Sequence, residues 1–354
     1  MKKVIVAMSG GIDSSIAAIL LQEMGYRVYG IYFDLWKYNH VNKSKDIALH
    51  NIEVISKKFH MDWEIIDLRN KFKDSIIDYF LEGLRSGQTP NPCVKCNPII
   101  KFHTLISYMN KMNFDLIATG HYAQIGFNKN TNTYEIYKAL DRLKDQSYAL
   151  CLLTQSILNK ILFPLGIISK AKVRKIAKEL NIDFADQPES QDLCFVDHKD
   201  LYKLIMKYMP NSLIPGEIIN LKNVVIGEHK GLAFYTIGQR KGIRVSSNKP
   251  YYVIRKDINK NQLIVDELEN LGKDVLVAEK VNWISGEEIN ASKIMDVKIR
   301  YRATPEKATV KPLPNHNVSV KFDRKIRDIT PGQFAVFYEN EKLLGGGMIS
   351  ERKK

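Results

Sequence analysis

The chain has 354 residues, which is more than one ordinary domain holds, so two or three domains are expected. Hydrophobic residues make up 45% and charged residues 26% of it, as is typical of a soluble globular protein, and no apolar run reaches the ~18 residues of a membrane span. The formal net charge is +14, mostly from residues after position 200, where a polyanion would bind. A lysine-rich composition that only aids solvation explains the same charge, so the charge alone does not establish nucleic-acid binding.

The first 200 residues alternate short apolar strands with amphipathic helices. Strands are predicted at 2–8, 28–33, 63–66 and 115–118, and helices at 14–24, 46–59 and 170–180. Gly25 is expected to end the first helix and Ser169 to cap the last one. This alternation predicts an α/β domain with a doubly wound parallel sheet and ligand sites at the carboxyl ends of its strands. Residues 86–97 are rich in Gly, Pro and Asn and are predicted to form an irregular loop.

After residue 200 the helical pattern fades, and short strands separated by turns take over. They are predicted at 224–227, 251–254, 262–265, 296–300, 318–322 and 335–338. Such strands predict small β modules, the last of them a barrel. The expected organisation is a parallel-sheet domain over 1–200, a small β-rich central domain over 201–275 and a C-terminal β-barrel domain over 276–354.

The segment from Ser9 to Ser15, SGGIDSS, joins the first predicted strand to the first helix. Its two glycines, Gly10 and Gly11, allow a tight turn and a close approach of the backbone to a ligand. Free N–H groups at the start of the helix, together with the serine hydroxyls, form a cradle for an anion. The loop is not of the Walker A type, because no Gly-Lys-Ser/Thr follows it. The whole string is much more specific than a Gly-Gly turn and predicts a phosphate-binding loop.

The apolar run Val4–Met8 near the start is too short for a signal peptide, so a cytoplasmic protein is expected. Its four unevenly spaced cysteines argue against a disulfide framework and for catalysis or metal binding. Cys151 lies in an apolar stretch and is expected in the core. Cys93 and Cys96 lie on the predicted Pro-rich loop, and Cys194 lies on a second irregular segment. Two loops that each present a thiol suit sulfur transfer, whereas three thiols without a fourth ligand disfavour structural zinc.

The phosphate-loop string resembles that of the PP-loop ATP pyrophosphatase family, whose members bind ATP and release pyrophosphate to leave an adenylated substrate. Within this family the chain resembles the bacterial tRNA-specific 2-thiouridylases over essentially its whole length. Further segments that carry the resemblance are 89–97, 118–123, 144–148, 190–195, 235–242 and 330–333.

The resemblance implies an ATP site with Mg²⁺ on the phosphates and a site for tRNA. The residues implied to bind ATP are Ala7, Met8, Ser9, Gly10, Gly11, Ile12, Asp13, Ser14, Phe33 and Gly120. Those implied to contact tRNA are Asn91, Pro92 and Cys93 around the target base, and His121, Lys144, Asp145, Gln146, Arg300, Tyr301 and Gln333 elsewhere. A structural role of Asp13 at the start of the helix is as well founded as a nucleotide contact.

By the same resemblance, ATP adenylates the C2 carbonyl of the tRNA wobble uridine, and sulfur replaces the oxygen to give 2-thiouridine. Cys194 carries the sulfur as a persulfide, and Cys96 is the nucleophile or frees the sulfur through a transient Cys96–Cys194 disulfide. Cys93 departs from the pattern of many members, which have Asp there, and this puts an acid/base role at position 93 in doubt. Three thiols at these positions also suit three irons of a [4Fe–4S] cluster, and this alternative stays open.

The implied partners are the tRNAs for lysine, glutamate and glutamine and a cysteine desulfurase or sulfur-relay protein that donates persulfide. A clamp on the tRNA is expected from Tyr235, Arg240, Lys241, Tyr301 and Arg302, for which solvated surface charge is the alternative. A small-molecule synthetase of the argininosuccinate synthase type is the alternative enzyme, and it would need a substrate-binding fold in place of basic β modules. A catalytically idle RNA-binding protein is disfavoured by an intact phosphate loop beside Cys96 and Cys194.

Overall fold

The computed structural model describes residues 1–38, 42–187, 193–197, 200–245 and 249–350, with the side chains of 42–44 excepted. The first three residues of the 190–195 segment therefore lie outside the described ranges, which resume at residue 193. Among the helices that are described, none combines the length and apolar character needed to cross a membrane.

A parallel sheet forms the centre of the N-terminal part. The first seven strands are β1 (Lys3–Ala7), β2 (Arg27–Asp34), β3 (Asp62–Asp67), β4 (Leu116–Thr119), β5 (Ala123–Asn128), β6 (Thr133–Lys138) and β7 (Ile161–Leu162). The helices are α1 (Ile12–Glu23), α2 (Asn42–Lys58), α3 (Arg69–Phe72), α4 (Asp78–Arg85), α5 (Pro92–Cys96), α6 (His103–Lys111), α7 (Gln155–Leu158), α8 (Lys170–Glu179) and α9 (Leu201–Tyr208). The sheet has the order β3-β2-β1-β4-β7 in the part of the chain that is described, and all its pairings are parallel. The predicted parallel-sheet fold is confirmed.

Strand β1 lies inside this sheet because its residues are apolar on both faces. Val4 and Val6 belong to the core on the side of α1, while Ile5 belongs to the core on the opposite side, and all three are fully buried. Alternate strand residues point to opposite faces, so one short apolar strand serves two cores. The phosphate loop then leaves the carboxyl end of this buried strand.

The prediction of an irregular loop over 86–97 is wrong for its second half. Residues Pro92–Cys96 form α5, which runs on through a π-helical turn (Asn97–Phe102) into α6. The helix starts because the side chain of Asn91 accepts a hydrogen bond from the backbone N–H of Val94 (3.4 Å) and Pro92 occupies the first helical position. The Asn91-Pro92 pair thus starts a helix and is not part of an irregular loop.

The helical pattern also does not end at residue 200, because α9 follows and packs Leu204 and Ile205 into the core of the first domain. The hairpin β5–β6, which lacks a strong apolar alternation, is a second element that the sequence did not predict. Ser169 caps α8 as predicted, its hydroxyl accepting from the backbone N–H of Lys172 at 3.2 Å.

Two β modules follow. Their strands are β8 (Gly216–Ile219), β9 (Val225–His229), β10 (Tyr252–Asp257), β11 (Gln262–Asp266), β12 (Lys273–Trp283), β13 (Lys293–Lys298), β14 (Glu306–Leu313), β15 (Asn317–Ile326), β16 (Phe334–Glu339) and β17 (Lys342–Ile349). As far as the structure describes them, β10-β11-β8-β9 form a small sheet, and β12-β15-β14-β13-β16-β17 form a barrel that pairing of β12 with β17 closes. The predicted barrel is confirmed. Its strand β17 also pairs with β6, so the hairpin of the first domain extends the barrel sheet.

Candidate active site

The phosphate loop is held by its own serines and by α2. The hydroxyl of Ser14 accepts from the backbone N–H of Ser9 and donates to the carbonyl of Gly11, both at 3.0 Å. Asn51 in α2 donates to the carbonyl of Gly10 at 2.9 Å. These bonds fix the turn at the N-terminus of α1, where free N–H groups and the helix dipole attract an anion.

Replacing Gly10 by alanine is expected to damage this loop. Gly10 has φ +76°, and a Cβ there would lie 2.5 Å from the backbone of Ala48. We expect the free energy of unfolding to fall by about 1–3 kcal/mol and ATP binding to be lost. Gly11→Ala is the matched control for stability, since Gly11 has φ −90° and the nearest atom to its Cβ would be 3.5 Å away. Urea unfolding measures both variants and ATP titration measures Gly10→Ala, and an equal loss of stability in the two variants would contradict this account of the loop.

Asp13, in the first turn of α1, is held by two side chains from distant parts of the chain. The ammonium group of Lys170 donates to both carboxylate oxygens at 2.7 and 2.8 Å, and the hydroxyl of Tyr122 donates to one at 2.6 Å. The side chain of Lys170 is only 7% exposed, that of Asp13 33%. The carboxylate therefore ties α8 to the phosphate loop. Sequence reasoning missed Lys170, although its place directly after the Ser169 cap put it at the start of a predicted helix.

The two other predicted ATP contacts, Phe33 and Gly120, lie at the same edge of the sheet as the loop. Gly120 directly follows β4, and a Cβ there would lie 2.9 Å from the backbone nitrogen of Ser14, so it packs on the start of α1. Phe33 is the second-last residue of β2, beside Asp34, whose carboxylate is 2.6 Å from the ammonium group of Lys45. The carboxyl ends of β1, β2 and β4 thus meet around one ligand position, as expected for this fold.

His121 follows Gly120 and packs against the helical segment that continues from Cys93 and Cys96. Its ring packs against Phe102, at the end of the π-helical turn, and against Phe163, with ring centroids 6.0 and 6.1 Å apart. Burial and the positive charge of Lys101 lower the pKa of His121 well below its usual value, so its imidazole is neutral at neutral pH. Gly120 and His121 therefore join the phosphate loop to the helical segment that begins with Cys93 and Cys96.

Cys93 and Cys96 lie on α5, one helical turn apart. The side chain of Cys96 is buried and that of Cys93 is exposed. The next residue, Asn97, donates from its amide to the carbonyl of Ala149 at 2.9 Å, while its buried Oδ1 has no partner among the described residues. A π-helical turn is a frequent mark of a functional site. Here it starts directly after Cys96.

Cys194 is positioned by the residue that follows it. The ring of Phe195 packs edge-on against Phe72 and Phe80, at centroid distances of 6.0 and 5.5 Å. Its carbonyl accepts a hydrogen bond from the backbone N–H of Tyr38 at 2.8 Å. Tyr38 lies shortly after β2, so this segment is tied to the strand that carries Phe33, one of the predicted ATP contacts.

The charges of Cys93 and Cys96 both act on the thiol of Cys194, which indicates that the predicted catalytic cysteines lie near one another. Burial and the neighbouring Cys96 and Cys93 raise the pKa of Cys194 to about 12. Burial raises the pKa of Cys96 to about 11 and also raises that of Cys93, and in both cases the charge of Lys101 opposes the rise. Cys93 and Cys194 are exposed to solvent, yet desolvation dominates their pKa values, as for groups in a cleft that protein atoms enclose. Cys151 is wholly buried, as predicted.

Metal ligation by the three thiols is the alternative that the sequence left open. Across the ranges that the structure describes, no group of three or more His, Cys, Asp or Glu side chains is placed to hold a metal ion.

Several residues that were predicted to contact tRNA lie where the barrel meets α5. The side chain of Gln333 donates to the carbonyl of Thr89 at 2.7 Å, and the N–H of Thr89 donates to the carbonyl of Pro331 at 2.9 Å. Asn91 caps α5, and Pro92 is buried. The barrel loop thus supports the segment that leads to the cysteine helix.

Arg300 and Tyr301 lie at the same junction. Arg300 donates to the carbonyl of Ile237 at 2.9 Å and to the hydroxyl of Thr330, which links the central module to the barrel. Tyr301 is 39% exposed, and the centroid of its ring lies 6.2 Å from that of the buried Tyr148. An exposed aromatic ring beside a cation is suited to stacking on a base.

The other predicted tRNA contacts lie on the 144–146 turn. Asp145 is buried and accepts hydrogen bonds from the hydroxyl of Ser147 at 2.8 Å and the backbone N–H of Ala139 at 3.0 Å. Gln146 accepts from the backbone N–H of Tyr122 at 3.1 Å. Asp145 and Gln146 thus shape the turn, and Lys144 is half-buried on it.

The fold and this site define a PP-loop nucleotide-binding enzyme with a group of thiols beside its phosphate loop. Three family models match the chain: tRNA methyl transferase HUP domain at residues 2–198, tRNA methyl transferase PRC-barrel domain at 202–267, and aminomethyltransferase beta-barrel domain at 273–349. The tRNA-specific 2-thiouridylase MnmA of Natranaerobius thermophilus is 38% identical over 98% of this chain and 97% of its own length. That of Carboxydothermus hydrogenoformans is 37% identical over 99% and 98%. The chain belongs to the tRNA-specific 2-thiouridylase family.

Among solved structures, U34-tRNA thiolase NcsA from Methanococcus maripaludis with its [4Fe-4S] cluster is 20% identical over 59% of this chain and 67% of that one, with a TM-score of 0.35. A likeness this low supports no inference about the site. The family-model descriptions refer to methyl transfer, whereas the full-length relatives are named for thiolation. The group of thiols beside a phosphate loop agrees with the relatives' names.

Proposed function

We propose that the chain replaces the C2 oxygen of the tRNA wobble uridine with sulfur in an ATP-dependent reaction. The observation that supports this most is the link made by Gly120 and His121. Gly120 packs on the phosphate loop, and His121 packs on the helix of Cys96, so activation and sulfur transfer share one edge of the sheet. Both steps act on the same C2 carbonyl group and need this proximity.

The first step is adenylation. Residues 7–14 hold the phosphates of ATP at the start of α1, and Phe33 and Gly120 border the nucleotide. The uridine O2 attacks the α-phosphorus, the bond to pyrophosphate breaks, and pyrophosphate leaves with the electron pair. Mg²⁺, when bound, screens the charge of the departing pyrophosphate. Adenylation is needed because the carbonyl oxygen is a poor leaving group, whereas AMP is a good one.

The second step is sulfur transfer. A persulfide donor loads Cys194, and the terminal sulfur attacks C2 of the adenylated uridine while AMP departs with the C–O electron pair. The thiolate of Cys96 then attacks Sγ of Cys194, which breaks the persulfide bond and leaves sulfur on the base. The products are 2-thiouridine, AMP and a Cys96–Cys194 disulfide, which a thiol reductant returns to two thiols with two electrons.

The later modules are proposed to hold the tRNA. Arg300, Tyr301 and Gln333 lie at the junction with α5, so they are placed to grip RNA around a base that is flipped toward Cys96. We propose domain limits near residues 200 and 275, because the small central sheet lies between them. The tRNAs for lysine, glutamate and glutamine, a cysteine desulfurase or relay protein as donor, and a cytoplasmic location complete the proposal.

An iron–sulfur cluster is the other route to activated sulfur. It would recruit Cys93, Cys96 and Cys194 and would require these side chains to rearrange from their present positions. Anaerobic purification with visible spectra separates the routes, because iron-free, colourless and active protein excludes the cluster.

The proposed function is tested by incubating the protein with unmodified tRNA, ATP, Mg²⁺ and a persulfide donor and analysing the nucleosides by mass spectrometry. We expect 2-thiouridine, with one AMP and one pyrophosphate released for each, and no AMP without tRNA. AMP release that depends on an amino acid and not on tRNA would instead support a small-molecule synthetase.

Binding of tRNA is expected to weaken steeply with salt. The net charge is +14, and neutralising phosphates releases counterions, so log K should fall linearly with log salt by about 0.7–0.9 per phosphate contacted. Filter binding at about 50 to 300 mM KCl measures the slope, with ATP binding as the reference. A flat tRNA affinity over this range would contradict the proposed clamp.

A further inference from the structure

Thr119 and His121 form a hydrogen bond at the carboxyl end of β4. The hydroxyl oxygen of Thr119, the last residue of β4, lies 2.7 Å from Nδ1 of His121, and Thr119 is only 3% exposed. The ring of His121 also packs against the rings of Phe102 and Phe163. A hydrogen bond to one ring nitrogen, together with packing against two rings, holds the imidazole in one orientation.

This hydrogen bond has one direction that satisfies both groups. Among the described residues, His121 is the partner that the hydroxyl of Thr119 has. A buried hydroxyl needs an acceptor for its proton, so Thr119 donates to Nδ1, and the neutral imidazole carries its own proton on Nε2. With the proton on Nδ1 instead, the hydroxyl hydrogen of Thr119 would be buried without an acceptor, which costs free energy.

The Nε2–H group of His121 is available to a ligand. In the part of the chain that the structure describes, Nε2 has no hydrogen-bond partner, and it is not sealed from solvent. His121 as a whole is half-buried. The fold therefore fixes one ring nitrogen through Thr119 and leaves the other as an unused hydrogen-bond donor.

The proposed reaction needs a donor of this kind. The adenylated uridine is joined to AMP through one oxygen, which bridges C2 and phosphorus. This bridging oxygen takes the electron pair when sulfur displaces AMP, and a positioned N–H group stabilises the charge that develops on it. Because Gly120 packs on the phosphate loop and His121 on the segment that follows Cys96, we expect the bridging oxygen beside this pair.

We propose that His121 donates a hydrogen bond from Nε2 to the bridging oxygen as AMP departs, and that Thr119 is the positioning residue that keeps this donor in place. Thr119 does not touch the substrate and acts through the imidazole. The catalytic part of this inference rests on the proposed function, whereas the proton position on His121 is a property of the free protein and is measured without tRNA or ATP.

The first measurement is ¹⁵N NMR at neutral pH of protein labelled at its histidines, with His121→Gln identifying the signals of His121. We expect a protonated Nε2 and a bare, hydrogen-bonded Nδ1. Thr119→Val removes the hydroxyl but keeps the branched shape, so both signals should move toward those of a free imidazole that exchanges between its two neutral forms. Thr119→Ser should restore them.

Thr104→Val is the matched control. Thr104 is 5% exposed, and its hydroxyl has no hydrogen-bond partner among the described residues. The same exchange of a buried threonine for valine therefore removes no hydrogen bond there, and the signals of His121 should not change.

The second measurement is the rate of 2-thiouridine formation. Thr119→Val should lower kcat about ten-fold while KM for tRNA and the affinity for ATP stay within about two-fold, because the donor acts on charge that develops only in the transition state. Thr119→Ser and Thr104→Val should keep kcat within about two-fold. If urea unfolding shows that Thr119→Val does not fold, His121→Gln and His121→Phe decide instead. Glutamine keeps an N–H group near the place of Nε2, so it should retain at least about five-fold more activity than phenylalanine.

The two measurements separate this inference from the proposed function. A proton on Nδ1 of His121 in the unsubstituted protein overturns the inference, as does an unchanged kcat in folded Thr119→Val or equal activity of His121→Gln and His121→Phe. If the NMR signals are as expected but even the unsubstituted protein makes no 2-thiouridine, the proposed function fails while the positioning of His121 by Thr119 stands.

Discussion

Replacing either Cys96 or Cys194 by serine is expected to lower 2-thiouridine formation by about a thousand-fold or more while leaving tRNA affinity within about two-fold. Both thiols take part in the proposed bond exchange, and a serine hydroxyl neither holds a sulfane sulfur nor forms the disulfide. The measurement is nucleoside mass spectrometry after single turnover, with filter binding of the same preparations.

Cys151→Ala is the matched control, because it removes a thiol that is wholly buried and outside the site. Cys93→Ser discriminates between the two sulfur routes. On the persulfide route it should retain most of the activity, whereas loss of a cluster ligand would remove it. Full activity of Cys96→Ser or Cys194→Ser would refute the mechanism.

Replacing Lys170 by methionine is expected to have the second largest effect. After this change, the hydroxyl of Tyr122 is the side-chain hydrogen-bond donor to Asp13 that remains among the described residues. The carboxylate then lies uncompensated beside the phosphate-binding loop. We expect the free energy of unfolding to fall by about 1–3 kcal/mol, less than for a fully buried pair because the Asp13 side chain is 33% exposed. ATP affinity should fall about ten-fold, since the unbalanced carboxylate repels the nucleotide.

The control is Lys172→Met, an exposed lysine on the same helix that should change neither quantity. The double variant with Asp13→Asn completes a cycle, in which the second substitution should recover part of the loss. Effects of Lys170→Met and Asp13→Asn that simply add would show that the two side chains do not act as a pair.

The parallel sheet and the phosphate loop were predictable because their signals are local. An apolar strand, two glycines and a helix follow within residues 2–24, and each element is specified by its own residues. The grouping of Cys96 with Cys194 followed from the resemblance and from the rule that ligand sites gather at one sheet edge.

What sequence reasoning missed depends on contacts between distant segments. The start of α5 was hidden because Asn91 and Pro92 also suit a turn, and only the bond from Val94 shows which applies. Lys170 looks like an ordinary surface lysine in the sequence, and only the fold places it against Asp13. No periodic pattern in the sequence indicates that a lysine will pair with a distant carboxylate.

The hairpin β5–β6 has a consequence for how the chain is made. Its partner β17 begins at Lys342, some two hundred residues after β6 ends at Lys138. At about 5–20 residues per second, a ribosome leaves this hairpin without its neighbour for roughly 10–40 s. During that interval the unpaired edge of the hairpin can pair with other nascent chains. We therefore expect chaperone binding and aggregation during expression to be greatest for chains whose synthesis stops before the final strand.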